Sequence, residues 1–238
     1  MTVLESTERF TAAARAGRCK TWLALAVGAG LIGMAIWFVW FSSVLSVQEV
    51  RVVGAKGVPV DEVRIAASVR LGTPLARVDA DSVAERVGAI PEVAAVEVRR
   101  GWPDVLVVVV TERTPLAVVR AGTDFAYIDL TGARFGKSPA RPRAMPYVRP
   151  FDETSLLAAA QVLGSLPADL RAKVVSVVAR SRDDVVLTLL GGATVQWGSA
   201  EDAEAKLAVL AALLPRKAAF YDLSAPNLPT TRGTLGGS

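Results

Sequence analysis

The chain has no histidine and a single cysteine, Cys19, in its 238 residues. Without histidine there is no imidazole to act as general base, as metal ligand or as partner to a nucleophilic serine or cysteine. One thiol cannot close an intrachain disulfide, so everything after Cys19 must fold on its hydrophobic core alone. An excess of charge is missing too. Four of the 27 basic and two of the 23 acidic residues lie in the first 20 positions, leaving 23 against 21 in the remainder. A body so close to neutral carries no electrostatic footprint for nucleic acid. A Ser–Lys hydrolase would need no histidine, but no Ser-x-x-Lys string occurs. Lys56, Lys137, Lys173, Lys206 and Lys217 fall in expected turns or at element ends, where an activated lysine lacks the burial it needs. The expectation is no catalytic residue, no metal and no cofactor.

What the chain does have is Thr21 to Gln48, 28 residues without a charge. About 20 apolar residues cross a bilayer core, and only a helix satisfies the backbone there. The run exceeds the ~7–15 residues of a signal-peptide core, and Ser43-Val44-Leu45-Ser46 is a poor cleavage site. Trp22 at one end and Trp37, Phe38, Trp40 and Phe41 at the other resemble interfacial belts. Arg9, Arg15, Arg18 and Lys20 precede it, so the N-terminus is expected in the cytoplasm and the body outside. Within the run, Gly28-Ala29-Gly30-Leu31-Ile32-Gly33 spells a dinucleotide fingerprint, but a spanning helix offers no preceding strand. Ala24 with Gly28, and Ala26 with Gly30, instead form a small-residue face on which a second membrane helix can approach closely.

Residues 1–20 are polar and predict a disordered tail. At the end of the apolar run, Val47-Gln48-Glu49-Val50-Arg51-Val52-Val53-Gly54 reads as a strand closed by a glycine turn. Pro59 starts a helix carrying Val60, Val63 and Ala67 on one face. Leu71-Gly72-Thr73-Pro74 breaks it, and a second helix follows with a Ser82-x-x-Glu85 capping box and Val83, Val87 and Ile90 inward. Ala94–Arg100 and Val105–Val110, joined at Gly101-Trp102-Pro103-Asp104, read as a hairpin. The order β-α-α-β-β predicts two helices on one face of a three-stranded sheet.

The pieces Val50-x-Val52-x-Gly54, Gly72-x-x-Leu75-x-x-Val78-Asp79, Arg100-x-Trp102-Pro103 and Val109-x-Thr111-Glu112-Arg113-x-Pro115 resemble a polypeptide-transport-associated (POTRA) domain of the FtsQ/DivIB family. That likeness continues through Asp129-Leu130-Thr131-Gly132-Ala133-Arg134-Phe135, Trp197-Gly198, Lys206-Leu207 and Asp222-Leu223. Between these, helices are expected at Leu156–Leu163 and from a Ser199 cap, and strands at Val174–Ala179, Val185–Leu190, Ala193–Trp197 and Ala218–Leu223. The fold class is therefore α+β, with one N-terminal transmembrane helix, a POTRA domain and a mostly antiparallel β domain with flanking helices. The expected divisions are a tail (1–20), the spanning helix (21–48), the POTRA domain (49–115), the β domain (116–226) and a fraying C-terminal tail (227–238).

The resemblance implies a non-enzymatic, single-pass scaffold of the bacterial division machinery at the septum. Its implied partners are FtsB and FtsL, and no nucleic acid. A terminal strand presents an open edge to which an extended partner can add by backbone hydrogen bonds. Phe220, Tyr221, Asp222, Leu223, Ser224 and Ala225 are the candidate partner-binding residues; Phe220, Tyr221 and Leu223 equally suit the β-domain core. The family pattern has arginine where Ser224 stands, and Pro226 and Pro229 shorten the strand. A second reading is a POTRA-bearing protein that hands over extended chains, although such proteins usually repeat the unit. Arg134, Lys137, Arg141, Arg143 and Arg149 read as a solvated basic loop, with contact to anionic lipid or wall polymer as the alternative. Asp183-Asp184 and Glu201-Asp202 read as structural acids at a hairpin tip and a helix start.

Overall fold

The structure, a computed structural model, describes residues 25–34, 37 and 45–234. Residues 25–34 are helical, and among the described residues no helix is long and apolar enough to cross a membrane. The basic head, Cys19, Ala24 and most of the aromatic belt lie outside the described residues. The rest divides into two compact units. Described residues up to Ile90, with Ala95–Thr111, make the first; Pro91–Ala94 and the residues from Glu112 onward make the second.

The first unit runs β1 (Glu49–Val53), α1 (Val60–Ala67), a 3-10 turn (Leu75–Arg77), α2 (Ala80–Gly88), β2 (Val93–Gly101) and β3 (Val105–Glu112). Its sheet has the order β1-β3-β2, with β1 parallel to β3. The valine run of β3 alternates in burial, putting Leu106, Val108 and Val110 inward with Val63, Ala67, Val83 and Val87 of the helices. Period 2 in the strand and 3.6 in the helices give one shared apolar layer. The sequence points to Ser82 as the cap of α2; Asp79 holds that position instead. The Asp79 carboxylate accepts from the N–H groups of Asp81 and Ser82, each at 3.2 Å, and from the Ser82 hydroxyl at 2.7 Å. The carboxylate is also the better match to the positive end of the helix dipole.

The second unit is a nine-stranded sheet with the order β12-β11-β10-β9-β8-β7-β4-β5-β6. Its strands are β4 (Ala117–Ala121), β5 (Asp124–Ile128), β6 (Arg134–Ser138), β7 (Tyr147–Pro150), β8 (Val174–Ser181), β9 (Asp184–Leu189), β10 (Thr194–Gly198), β11 (Ala218–Asp222) and β12 (Thr230–Thr234). The pairs β4·β7, β7·β8 and β10·β11 are parallel and the others antiparallel. Parallel neighbours need a crossover. Helix α3 (Glu153–Ser165) supplies it between β7 and β8, followed by the short α4 (Ala168–Arg171), and α5 (Ala203–Leu213) supplies it between β10 and β11. Leu156, Ala159 and Leu163 of α3 share one core with Val177, Leu187, Trp197 and Tyr221 of the sheet.

The opposite face is organised by register. Tyr127, Val118, Tyr147, Ser176, Thr188, Thr194, Phe220 and Arg232 align as one row across eight strands. Arginines lie over its rings: Arg120 on Phe125 at 5.3 Å, Arg141 on Tyr147 at 4.9 Å and Arg232 on Phe220 at 6.0 Å. The basic stretch is thus not a simple solvated loop. Arg134 and Lys137 lie in β6 and Arg149 in β7, and Arg134 pairs with Glu153 at 2.6 Å.

Two further expectations change. Helix α5 begins at Ala203 behind Asp202, not at a Ser199 cap. Ser199 serves Lys206 instead, whose Nζ donates to the Ser199 carbonyl at 2.9 Å. The expected fraying tail forms β12 over Thr230–Thr234, while residues 235–238 lie outside the described residues.

Candidate functional site

β11 is not the outermost strand. It lies between β10, where Phe220, Tyr221 and Asp222 face Thr194, Val195 and Gln196, and β12, where Phe220 faces Arg232 and Asp222 faces Thr230. The open edge suggested for β11 is therefore taken, and among the described residues β12 carries the free edge. The sequence signal for β12 is slight: three threonines in Thr230-Thr231-Arg232-Gly233-Thr234, with β-branching favouring an extended backbone.

The six residues singled out from sequence divide by side. Tyr221 and Leu223 are buried in the core cluster. The Tyr221 hydroxyl accepts the Ala218 N–H at 2.9 Å, and the Leu223 N–H donates to the Gln196 carbonyl at 2.8 Å. Both hold β11 down from within. Phe220 and Asp222 are half-buried on the other face, and Ser224 and Ala225 are exposed. Ser224 gives a physical meaning to its departure from the family's arginine. Its N–H and hydroxyl both donate to Asp222 Oδ1, at 3.0 and 2.7 Å, closing a tight turn out of the strand. Leu228, not singled out from sequence, is 80% exposed in the connection to β12.

Under this turn, Gly198 ends β10 with φ +76°, a region that favours glycine. A Cβ there would lie 3.1 Å from Cα and Cβ of Ser224 and 3.7 Å from the Asp183 carbonyl, so the β8–β9 hairpin tip and the Ser224 turn both abut it. The next residue, Ser199, is fixed by Lys206, which is only 1% exposed. Burial pushes the Lys206 ammonium below its ordinary value, opposed by the carboxylates of Asp202, Glu201 and Asp183. Buried lysine, Ser199, Gly198 and Ser224 thus form a chain of support from the core to the sheet margin.

The opposite edge differs. β6 pairs with β5 through a register shift between Phe125 and Tyr127, and its Gly136 has φ +55°. Bulges and lysines blunt edges against further pairing, and Lys137 lies there as well. The β11–β12 ladder runs with no register shift.

Of the small-residue face in the apolar run, Ala26, Gly28 and Gly30 are described and Ala24 is not. A Cβ on Gly28 or Gly30 would meet nothing within 4 Å. Among the described residues, no cluster of three or more histidine, cysteine, aspartate or glutamate side chains is placed to hold a metal ion.

Comparison with known proteins bears on both units. The POTRA domain, FtsQ-type, matches residues 45–113, and the C-terminal domain of cell division protein FtsQ/DivIB matches residues 117–225. The chain is 39% identical over 230 residues to cell division protein FtsQ of Streptomyces bingchenggensis, covering 90% of this chain and 87% of that one. Against FtsQ of Mycolicibacterium smegmatis it is 37% identical over 212 residues, covering 87% of this chain and 62% of the relative. Against FtsQ of Streptomyces coelicolor the figures are 33% over 239 residues, 92% and 90%. With both domains matched in order and these relatives aligned across them, the chain belongs to the FtsQ/DivIB family of cell division proteins.

Proposed function

We propose that this family member is a bitopic, non-enzymatic scaffold of the division machinery, anchored through the apolar run that begins at Thr21 and ends before Ser46, which packs in the first unit, and that it docks FtsB- and FtsL-type membrane partners by strand addition at β12. The observation that carries the proposal is the asymmetry of the two sheet edges. One is bulged at β6; the other, β12, keeps a single register with β11 on both sides of Gly233 (φ +65°) and offers its outer backbone groups over Thr230–Arg232.

A five-residue edge strand presents only two or three outward groups of each kind. At about 0.5–1.5 kcal/mol net per hydrogen bond, the ladder alone gives weak binding. Side chains at its margin must supply the rest. Phe220 beneath Arg232, exposed Ser224 and Ala225, and the protruding Leu228 are the available anchors. Tyr221 and Leu223 contribute indirectly by fixing the strand.

Adjacent residues of an edge strand aim their N–H groups to opposite sides. One of Thr231 and Arg232 therefore donates outward and the other into the β11 ladder. Proline at the outward position is expected to abolish recovery of a co-expressed FtsB/FtsL-type partner with little loss of stability. Proline at the inward position is expected to destabilise the second unit. Normal partner recovery with both variants would rule out addition at this strand.

A further inference from the structure

We propose that the loop joining α1 to α2 in the first unit is a membrane-contact surface that receives the headgroups of anionic phospholipids. The inference rests on the reading of the apolar run before Ser46 as a membrane anchor, and not on partner docking.

The loop is strapped to the residues that leave the apolar run. The Val47 N–H donates to the Thr73 carbonyl at 2.9 Å, and the Gly72 N–H donates to the Val47 carbonyl at 2.8 Å. Ser46 forms a bridge with Pro74. Ser46 and Val47 are both buried, so these contacts are part of the packed unit. Consecutive Cα atoms are about 3.8 Å apart, which keeps Leu71 within roughly 10 Å of Val47. The headgroup layer on each side of a bilayer core is about 5–8 Å deep. Because Ser46 and Val47 belong to the packed unit, the anchor must end before Ser46, which brings the loop tip to that layer.

The side chains at the tip suit such a surface. Leu71 is 66% exposed and is flanked by exposed Arg70 and, six residues on, exposed Arg77. An apolar residue between cations seats itself at an interface with its charges among phosphates. Beside it lies a cleft of about 380 Å³ lined by Arg70, Thr73, Arg77, Ser82 and Arg86. The guanidiniums of Arg70 and Arg77 and the Thr73 hydroxyl match phosphate oxygens, whereas the Ser82 hydroxyl is given to Asp79 and Arg86 to the Ala67 carbonyl. Asp79, the one acid on the cleft wall, is committed to capping α2. The loop is also rigidly braced. Arg86 Nη2 donates to the Ala67 carbonyl at 2.7 Å, and Arg100 donates to the carbonyls of Leu75 at 3.0 Å and Val78 at 2.8 Å. A surface held this firmly does not need to order itself on binding.

The test uses the full chain with Cys19→Ser, reconstituted in bilayers of phosphatidylcholine alone or with a third of the lipid replaced by phosphatidylglycerol. A fluorophore is placed by Leu71→Cys, by Trp37→Cys within the anchor, or by Thr123→Cys in the second unit, and quenching by nitroxide-labelled lipids is read. Position 71 is expected to be quenched strongly in the anionic bilayer and less in the neutral one. Its partition constant for the anionic surface should fall about fivefold for each of Arg70→Gln and Arg77→Gln, which remove one charge apiece. Quenching at 71 no greater than at 123, with 37 quenched, overturns the loop proposal and leaves the anchor standing. An unquenched position 37 overturns the anchor and the proposal with it. Quenching at 71 that ignores lipid charge overturns the headgroup assignment. No partner is present, so none of these readouts depends on docking at β12.

Discussion

Gly198→Ala tests whether the Ser224 turn is held or merely lies where it does. Two costs arise at this position. The first is backbone strain at φ +76°, worth about 1–2 kcal/mol for a residue with a Cβ. The second is the methyl itself, 3.1 Å from the Cα of Ser224, which must move by a few tenths of an ångström. Overpacking of this kind costs about 1–3 kcal/mol when the neighbour is fixed. Gly191 separates the two, because it has φ +92° and nothing within 4 Å of its would-be Cβ. Gly191→Ala should lower the stability of the second unit by about 1–2 kcal/mol, and Gly198→Ala by about 2–5 kcal/mol. Urea unfolding read by the fluorescence of Trp197, fully buried beside Gly198, resolves the difference. With a slope of about 1–3 kcal/mol per molar urea, the two midpoints should separate by roughly 1 M. Equal losses would refute the reasoning, since Ser224 would then yield at no cost and the support running from Lys206 would hold nothing.

Asp129 anchors the turn between β5 and β6, accepting from Arg113 Nη1 at 2.6 Å, the Thr131 hydroxyl at 2.6 Å and the N–H groups of Thr131 and Ala133 at 2.9 and 3.1 Å. Asp129→Ala removes one partner of a largely buried ion pair and should cost about 3 kcal/mol in the same unfolding assay. Burial alone would raise this carboxyl, but the bonds from Thr131 and Arg113 outweigh it and hold its value below the ordinary one. A carboxyl depressed on folding stabilises above its unfolded value and loses that contribution as pH falls through the folded one, so the wild type should weaken below about pH 4 and the alanine variant should lack that component. For Lys206, burial lowers the ammonium value on folding, so the unfolded chain binds more protons between the lowered value and about 10.4. Stability should therefore rise with pH through that window. Lys206→Met, which keeps the length and drops the charge, should abolish the rise and change stability at neutral pH by less than about 1.5 kcal/mol.

Most of the fold was legible because its elements announce themselves locally. The alternation of Val105–Val110 and the helical spacing of Val63, Ala67, Val83 and Val87 carry the β-α-α-β-β order without any tertiary information. The caps were less legible. Asp79 and Ser82 both suit an N-cap, and which one serves depends on where the first turn closes. At Ser199 the decisive fact is that a lysine seven residues on is buried and needs an acceptor, which spacing does not reveal. β12 was invisible for a related reason. Thr230 and Thr231 favour an extended backbone, but so short a run between Pro229 and Gly233 does not announce a strand by itself and is one because β11 pairs with it. Whether a strand is an edge is a property of the whole sheet, so the candidate residues at 220–225 lay close to the free edge but one strand inside it. The two-sided character of those residues followed from alternation, with Tyr221 and Leu223 inward and Phe220, Asp222 and Ser224 outward.

The central claim, that partners dock at the β12 margin, is tested most directly by photocrosslinking the full chain in dividing cells. A photoreactive residue is placed singly at Ser224, at Arg232 and, as control, at Thr123 in the turn between β4 and β5. The tip at Asp183 is unsuitable as a control because it abuts Gly198 beside Ser224. The expected result is a discrete adduct with an FtsB- or FtsL-type protein from positions 224 and 232 and none from position 123. Adducts from position 123 with none from 224 and 232, or no adduct from any of the three, would contradict it.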